Sequence, residues 1–187
     1  MNFFGRIKTL IIVSLCLYSC ASGAAIREDR PFVYLTNSAE FTLLEPENIR
    51  KKIDMAQQIS ASFGNQEYFI NAWVQADDSG MDITLLNELG ANMGELSYRN
   101  GSLSFSSSVF PQSLKPEYIV ADFQLCFYRT IPLRWALEAC GLSLEESGAK
   151  RLILQDKTPI IEIEQSSGSI KLTNYLRGYS YTLEGEF

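Results

Sequence analysis

The residue types that most often carry out chemistry in proteins are absent or isolated in this sequence. None of the 187 residues is a histidine, which excludes Ser-His-Asp and Cys-His catalysis as well as histidine metal ligands. The four cysteines show neither a CxxC motif nor the spacing of a metal site. No Gly-x-Ser-x-Gly elbow occurs, and no two carboxylates stand out as an acid–base pair. We therefore predict that the protein is not an enzyme and holds no metal or cofactor.

Asp122 and Gln124 are polar residues inside an apolar stretch. If they are buried, each needs a hydrogen-bond partner, and Arg129 or Arg134 is a candidate partner for Asp122. We interpret the two residues as a polar tie between a helix and a sheet. A catalytic carboxylate at Asp122 is the weaker alternative.

The first twenty residues have the pattern of a secretory signal peptide. Arg6 and Lys8 precede an apolar run from Leu10 to Leu17, and this run is far shorter than the roughly 20 residues that span a bilayer. Leu17-Tyr18-Ser19-Cys20 resembles the bacterial lipobox, in which the cysteine thiol is acylated before cleavage. We predict a signal peptide over residues 1–19 and lipidation of Cys20. The alternative is a secreted protein that is cut near residues 24 and 25.

Cleavage before Cys20 leaves 14 basic against 22 acidic residues, a net charge of −8. A chain this acidic, without a basic cluster, is not expected to bind nucleic acid. Its attachment to the membrane is expected to be the N-terminal lipid, since stable anchoring needs more than one acyl chain and bacterial lipoproteins carry three. Ala21 follows the cysteine, which by resemblance to the enterobacterial sorting rule implies the outer membrane. Residues 20–30 are predicted to be a tether.

Apolar and polar residues alternate from residue 55 onward, in short runs separated by turn signals such as Asn100-Gly101. This two-residue period predicts antiparallel strands with one apolar face and one solvent-exposed face. Two proline-opened segments have helical spacing instead, and we predict helices over Pro116–Tyr128 and Pro132–Cys140. Gly141 is the predicted C-cap of the second helix. A strand over Phe123–Phe127 is the alternative for the first.

The ends of the folded region give weaker signals. A first strand is predicted at Phe32–Leu35, followed by a loop that extends to Pro46. After the helices, Glu145 and Glu146 are interpreted as solvated loop residues. Strands resume at residue 150, with Leu152 and Leu154 on one side.

The predicted order is strands, two helices and strands again, within one domain over residues 31–187. About ten strands share one apolar face, and a sheet of that size tends to curl. We therefore predict a mainly β (α+β) fold, a curved antiparallel sheet or open half-barrel with a two-helix hairpin covering its concave face. Such a shape either packs solid or encloses a cavity for an apolar ligand.

The stretches Leu89–Tyr98 and Tyr118–Leu125, together with the lipobox, resemble a group of uncharacterised bacterial lipoproteins. These lipoproteins are often encoded beside aryl-polyene biosynthesis enzymes, and their fold resembles that of the LolA/LolB lipoprotein carriers. The resemblance implies a hydrophobic concave pocket that holds acyl or polyene chains. One departure is the hairpin tip Asp77–Gly80. It is acidic, whereas the outer-membrane carrier has a protruding loop with an exposed leucine.

Aromatic and aliphatic residues on the central strand and on both helices are the candidate lining of this pocket. The alternatives are ordinary core packing for the helix residues and a central strand buried on both faces. The six candidates are Phe69, Trp73, Phe123, Phe127, Trp135 and Leu137.

Cys126 and Cys140 can form a disulfide in an oxidising compartment, and two buried free thiols are the alternative. We expect the whole protein to bind or locally transfer a hydrophobic lipid ligand at the outer membrane. The alternative is a structural or scaffold lipoprotein with a solid core that docks protein partners of the envelope.

Overall fold

A computed structural model describes residues 30–108, 110 and 114–186 of the chain. The predicted signal peptide, the lipidation site Cys20 and nearly all of the tether lie outside these residues and stay predictions. Within the described residues, no helix is both long enough and apolar enough to cross a membrane.

The strands follow the predicted alternation of apolar and polar residues. Their bounds are β1 Phe32–Tyr34, β2 Glu40–Thr42, β3 Ile53–Phe63, β4 Gln66–Asp77, β5 Gly80–Leu86, β6 Asn92–Arg99, β7 Ser102–Ser107, β8 Ser143–Ser147, β9 Lys150–Gln155, β10 Thr158–Ser166, β11 Ser169–Asn174 and β12 Tyr179–Glu184. β1 and β2 form a separate hairpin, followed by a single 3-10 turn at Pro46–Asn48.

The other ten strands form one antiparallel sheet in the order β7-β6-β5-β4-β3-β12-β11-β10-β9-β8. The sheet is curved and does not close. Because β7 and β8 lie at opposite edges, the chain between them must cross one face of the sheet, and the helices form this crossing. The predicted open half-barrel with a helical hairpin is confirmed. We call the face that carries the helices the inner face, and its opposite the outer face.

Helix α1 spans Pro116–Phe127 and α2 spans Thr130–Ala139, so the alternative of a strand over Phe123–Phe127 is wrong. α2 begins two residues before Pro132 because proline is compatible with the first helical turn. Its end is capped as predicted: Gly141 has a φ of +81°. The amides of Gly141 and Leu142 donate to the carbonyls of Glu138 and Leu137 at 3.0 and 2.9 Å, which is the Schellman arrangement.

The helices fill much of the inner face with apolar side chains. Fully buried residues of α1 and α2 pack into one core with the inner-face residues of the sheet. Those of the two helices are Val120, Ala121, Leu125, Leu133 and Leu137.

The sequence did not reveal two of the strands. β2 lies where a loop was predicted, because its three residues contain only one core residue, Phe41. β8 includes Glu145 and Glu146, which were interpreted as loop residues, and Leu144 is its only buried residue. In strands this short, a single apolar residue cannot establish a period of two.

Candidate functional site

The structure divides the six predicted pocket residues into two groups. Phe123, Phe127 and Leu137 are buried in the core, and the rings of Phe123 and Phe127 lie 4.6 Å apart between centroids. They pack as ordinary core residues, which was the alternative interpretation.

The other three predicted pocket residues lie at the surface. Phe69 is 74% exposed and Trp73 is 43% exposed, on the outer face of β4, where the indole N–H of Trp73 donates to the Asp54 carboxylate at 3.1 Å. Trp135 is 67% exposed, on the solvent side of α2. The interpretation of β4 as a strand buried on both faces is therefore wrong. The structure does not bring the six residues together around one pocket.

A different set of aromatic side chains lies together on the inner face of the sheet. Phe63, Tyr68 and Tyr179 stand at the ends of β3, β4 and β12, on the same face as the buried Ala61 and Ala72. The ring of Phe63 stacks on Tyr179 at 5.4 Å and meets the edge of Tyr68 at 5.9 Å between centroids. We call these three residues the inner aromatic patch.

Two residues of the inner aromatic patch are exposed to solvent, although the patch lies on the face of the sheet that carries the helices. Phe63 is 49% exposed and Tyr68 is 40% exposed, while Tyr179 is half-buried. The half-buried Ile59 and Ile70 lie next to it on the same face. Large aromatic groups in mutual contact and open to solvent are typical of a binding surface. Sequence reasoning placed Tyr68 on the apolar face but did not predict that the helices would leave it uncovered.

The patch adjoins a buried polar cluster beneath α1. The Tyr179 hydroxyl donates to the Asp122 carboxylate at 2.8 Å. Burial raises the pKa of Asp122 to about 7, although this hydrogen bond and the positive charge of Arg177 lower it. The predicted polar tie between helix and sheet is therefore present, with Tyr179 of β12 in place of Arg129 or Arg134.

Gln124 forms the second polar tie of α1. Its side-chain oxygen accepts from the Leu44 N–H at 2.9 Å, and its side-chain nitrogen donates to the Leu44 carbonyl at 2.8 Å. The Gln124 side-chain amide thus bonds both backbone groups of Leu44, as a neighbouring strand would in a sheet. This side chain is fully buried, and the tie is structural.

Cys126 and Cys140 are free thiols. The Cys126 sulfur lies 4.0 Å from the Tyr181 hydroxyl in the core, and burial raises the pKa of this thiol. The Cys140 thiol donates to the Leu137 carbonyl at the end of α2, at 3.1 Å. The two cysteines thus have separate partners, and the structure contains no disulfide between them.

Arg151 is a buried cation that sequence reasoning did not identify. Its guanidinium donates to the carbonyls of Leu125 and Tyr128 at 2.8 and 2.9 Å, and to the Glu146 carboxylate at 2.9 Å. It therefore caps the C-terminus of α1, where a positive charge is favourable. Arg151 and Ile153 face the helices, and Leu152 and Leu154 share the other side of β9, as predicted. Leu154 is buried as well. The sequence gives little indication of this role, because Arg151 directly follows Lys150 and only precedes the apolar run Leu152-Ile153-Leu154.

Two open grooves lie beside the β1–β2 hairpin, and none of the six predicted pocket residues lines either one. The larger has a volume of about 760 Å³; we call it the N-terminal groove. Its walls are β1, the start of β7 and the first turn of α1, including Phe32, Tyr34, Leu103 and Tyr118. The smaller groove, about 580 Å³, lies between β2 and the end of α2.

A polar network closes one end of the N-terminal groove. The Tyr34 carbonyl accepts hydrogen bonds from the Tyr118 hydroxyl, at 3.3 Å, and from the Arg177 guanidinium. Arg177 also lies over the Tyr118 ring, 4.8 Å from its centroid. These contacts hold β1 against α1 and the β11–β12 turn.

Among the described residues, no group of three Cys, Asp or Glu side chains is arranged to hold a metal ion. No curated protein sequence matches the chain. A family model described as "Protein of unknown function (DUF3261)" matches residues 54–185, a segment that contains the two helices and nearly all of the ten-stranded sheet. The chain therefore belongs to the DUF3261 family.

Proposed function

We propose that the protein is a lipoprotein of the bacterial outer membrane that binds a hydrophobic chain, such as an acyl or aryl-polyene lipid, and transfers it locally. The observation that carries this proposal is the inner aromatic patch. Phe63, Tyr68 and Tyr179 form a contiguous aromatic surface on the concave side of the sheet, and the helices leave Phe63 and Tyr68 exposed. Covering such a surface with an apolar chain contributes about 25 cal/mol for each Å² removed from water.

The position of the patch indicates how a ligand is held. α1 fills the middle of the inner face with Val120, Ala121 and Leu125. The bound acyl or polyene ligand therefore lies at the end of the inner face and not beneath the helix. The half-buried Ile59 and Ile70 extend the apolar surface along β3 and β4.

Adjacent residues of β4 provide a matched test. Tyr68→Ser combined with Phe63→Ser removes two rings from the patch, and Phe69→Ser combined with Trp73→Ser removes two exposed rings from the outer face. A fluorescent fatty acid is titrated into the purified protein and each double variant. We expect the inner-face variant to bind at least tenfold more weakly and the outer-face variant to bind as the wild type does. Equal binding by both would exclude the patch as the lipid site.

Native ligands are sought by mass spectrometry of lipids that co-purify with the protein. We expect acyl or polyene species with the wild type, in larger amount than with the Phe63→Ser, Tyr68→Ser variant. Recovery of no such species from the wild type would count against a transfer function.

The membrane anchor is tested separately by labelling cells with radioactive palmitate. We expect label in the wild-type protein and none in Cys20→Ala, and we expect the wild type in the outer-membrane fraction. Equal labelling of both proteins would refute lipidation at Cys20.

A structural lipoprotein that docks envelope proteins is the second candidate. It is favoured by the dense packing of the helices against the inner face, where Leu133 and Leu137 of α2 are fully buried. If this candidate is correct, the purified protein releases no lipid and neither double variant changes fatty-acid binding.

A further inference from the structure

Half of the backbone groups of strand β7 face away from the sheet, because β7 is an edge strand. The Ser108 N–H donates to the Met93 carbonyl at 2.9 Å, which identifies these residues as a pair that exchanges hydrogen bonds. The register then assigns the even-numbered residues of β7 to bonds with β6 and the odd-numbered residues to the open edge. The backbone N–H and C=O groups of Leu103 and Phe105 therefore lie on this edge, without a partner in the described part of the chain.

The two edges of the sheet are protected to different degrees. β8, at the far edge, carries Glu145 and Glu146 within five residues, and α2 packs beside it. β7 has the sequence Ser-Leu-Ser-Phe-Ser-Ser, with no charged residue and no proline. Charges and prolines are two of the features that keep an edge strand from pairing with another chain. β7 lacks both.

Strand β1 presents a second set of open backbone groups at the N-terminal groove. The Leu35 N–H donates to the Ala39 carbonyl at 3.0 Å, so the odd-numbered residues of this hairpin strand bond to β2. The backbone groups of Phe32 and Tyr34 consequently point away from β2. Because the Tyr34 carbonyl is already bonded to Tyr118 and Arg177, the groups left for a ligand among the described residues are the N–H and C=O of Phe32 and the N–H of Tyr34. These two residues and Leu103 of β7 line the same groove of about 760 Å³, a volume typical of ligand sites.

A strand added beside β7 would place its side chains alternately in two environments. Side chains next to Leu103 and Phe105 would lie on the apolar inner face, towards Tyr118 of α1. Side chains next to Ser104 and Ser106 would face solvent. The groove thus suits a segment in which apolar and small polar residues alternate.

We propose that the N-terminal groove binds an extended segment of a partner protein as an additional strand between β7 and β1. A segment in this position exchanges hydrogen bonds on both of its sides, so both of its edges must be free. The β7 strand of a second copy does not meet this condition, because one of its edges is bonded to β6. An extended segment without a sheet of its own does, and strand addition is an established mode of peptide recognition.

The first test uses the full-length protein and a capped, fluorescently labelled peptide that copies Ser102–Ser108, because β7 itself has the required alternation. Two control peptides keep the side chains but carry backbone N-methyl groups, at the positions of residues 102, 104, 106 and 108 in one and at the positions of residues 103, 105 and 107 in the other. We expect each control to bind at least tenfold more weakly, since each loses its donors on one side. Equal binding of all three, or no binding of the parent peptide at about 1 mM, a very weak affinity, would overturn the proposal.

The second test removes a backbone donor from the groove. Leu103→Pro deletes an N–H on the open edge, where proline is tolerated, and leaves the bonds to β6 in place. Leu103→Val is the matched control that retains the donor. We expect peptide affinity to fall at least tenfold in the proline variant only. If that variant does not fold, amide hydrogen exchange of the wild-type protein replaces this test. We expect the amides of Leu103 and Phe105 to exchange more slowly when peptide is added, and unchanged exchange rates would overturn the proposal.

Two further results would assign the groove to another occupant and overturn the proposal. One is a dimer of the peptide-free protein that Leu103→Pro converts to a monomer, which would indicate a second copy. The other is peptide binding that appears only after residues 21–29 are deleted, which would indicate the N-terminal segment of the same chain.

Discussion

Replacing Asp122 by asparagine should change how the stability of the protein depends on pH. Burial raises the pKa of this carboxyl from its ordinary value of 3.8 to about 7 in the folded protein. Between these values the folded state keeps a proton that the unfolded state has released, so the free energy of unfolding falls as pH rises from about 4 to about 7. The difference between 3.8 and about 7 corresponds to a loss of about 4 kcal/mol.

The asparagine side chain would resemble the protonated carboxyl in shape and can still accept the hydrogen bond from Tyr179. We expect Asp122→Asn to match the wild type within about 1 kcal/mol at pH 4, as volume-conserving changes do. At pH 8 we expect it to be more stable by up to about 4 kcal/mol. Urea unfolding at several pH values, followed by tryptophan fluorescence, measures the difference. Parallel curves for the two proteins would refute the assignment of a buried, protonated Asp122.

The remaining predictions concern the groups that hold α1 in place and the two thiols. Arg151→Met should lower the free energy of unfolding by about 3–5 kcal/mol, because the carbonyls of Leu125 and Tyr128 lose their side-chain donor. The Glu146 carboxylate keeps its bonds to Arg50 and Thr130. A loss below about 1 kcal/mol would contradict the capping role. Gln124→Met should cost about 2–4 kcal/mol, since the N–H and C=O of Leu44 each lose a hydrogen bond. Gln124→Glu should not recover this loss at neutral pH, because it places a carboxylate in a fully buried site beside the Leu44 carbonyl. Iodoacetamide should label Cys140 before Cys126, which is fully buried in the core; simultaneous labelling in native protein, followed by mass spectrometry, would contradict the burial of Cys126.

The alternation of apolar and polar residues was sufficient to predict most of the sheet and both helices. Asn100-Gly101 marks a two-residue hairpin in which both residues have positive φ, as the turn requires. Pro116 likewise marks the start of α1. These signals are local, so they can be recognised without knowledge of the tertiary fold.

The binding surfaces depend on contacts between segments that are distant in the sequence. Local sequence patterns do not predict these contacts. Phe69 and Tyr68 are adjacent aromatic residues on opposite faces of β4, and only the position of α1 determines which face is covered. Arg151 looks like a surface charge until the carbonyls of Leu125 and Tyr128 are placed beside it. The aromatic residues predicted to share a pocket are correspondingly divided between the core and the surface.

The pairing of β3 with β12 has a consequence for how the chain is made. These strands are neighbours in the centre of the sheet, yet Ile59 and its partner Leu183 lie near opposite ends of the described sequence. Contacts between such distant residues form late, because a long loop must close before they form. During synthesis the first five strands of the sheet, β3 to β7, can associate, but the free edge of β3 stays unpaired until Tyr179–Glu184 emerge. Completion of the sheet therefore depends on synthesis of β12, and a product truncated before Tyr179 would expose β3 as an aggregation-prone edge.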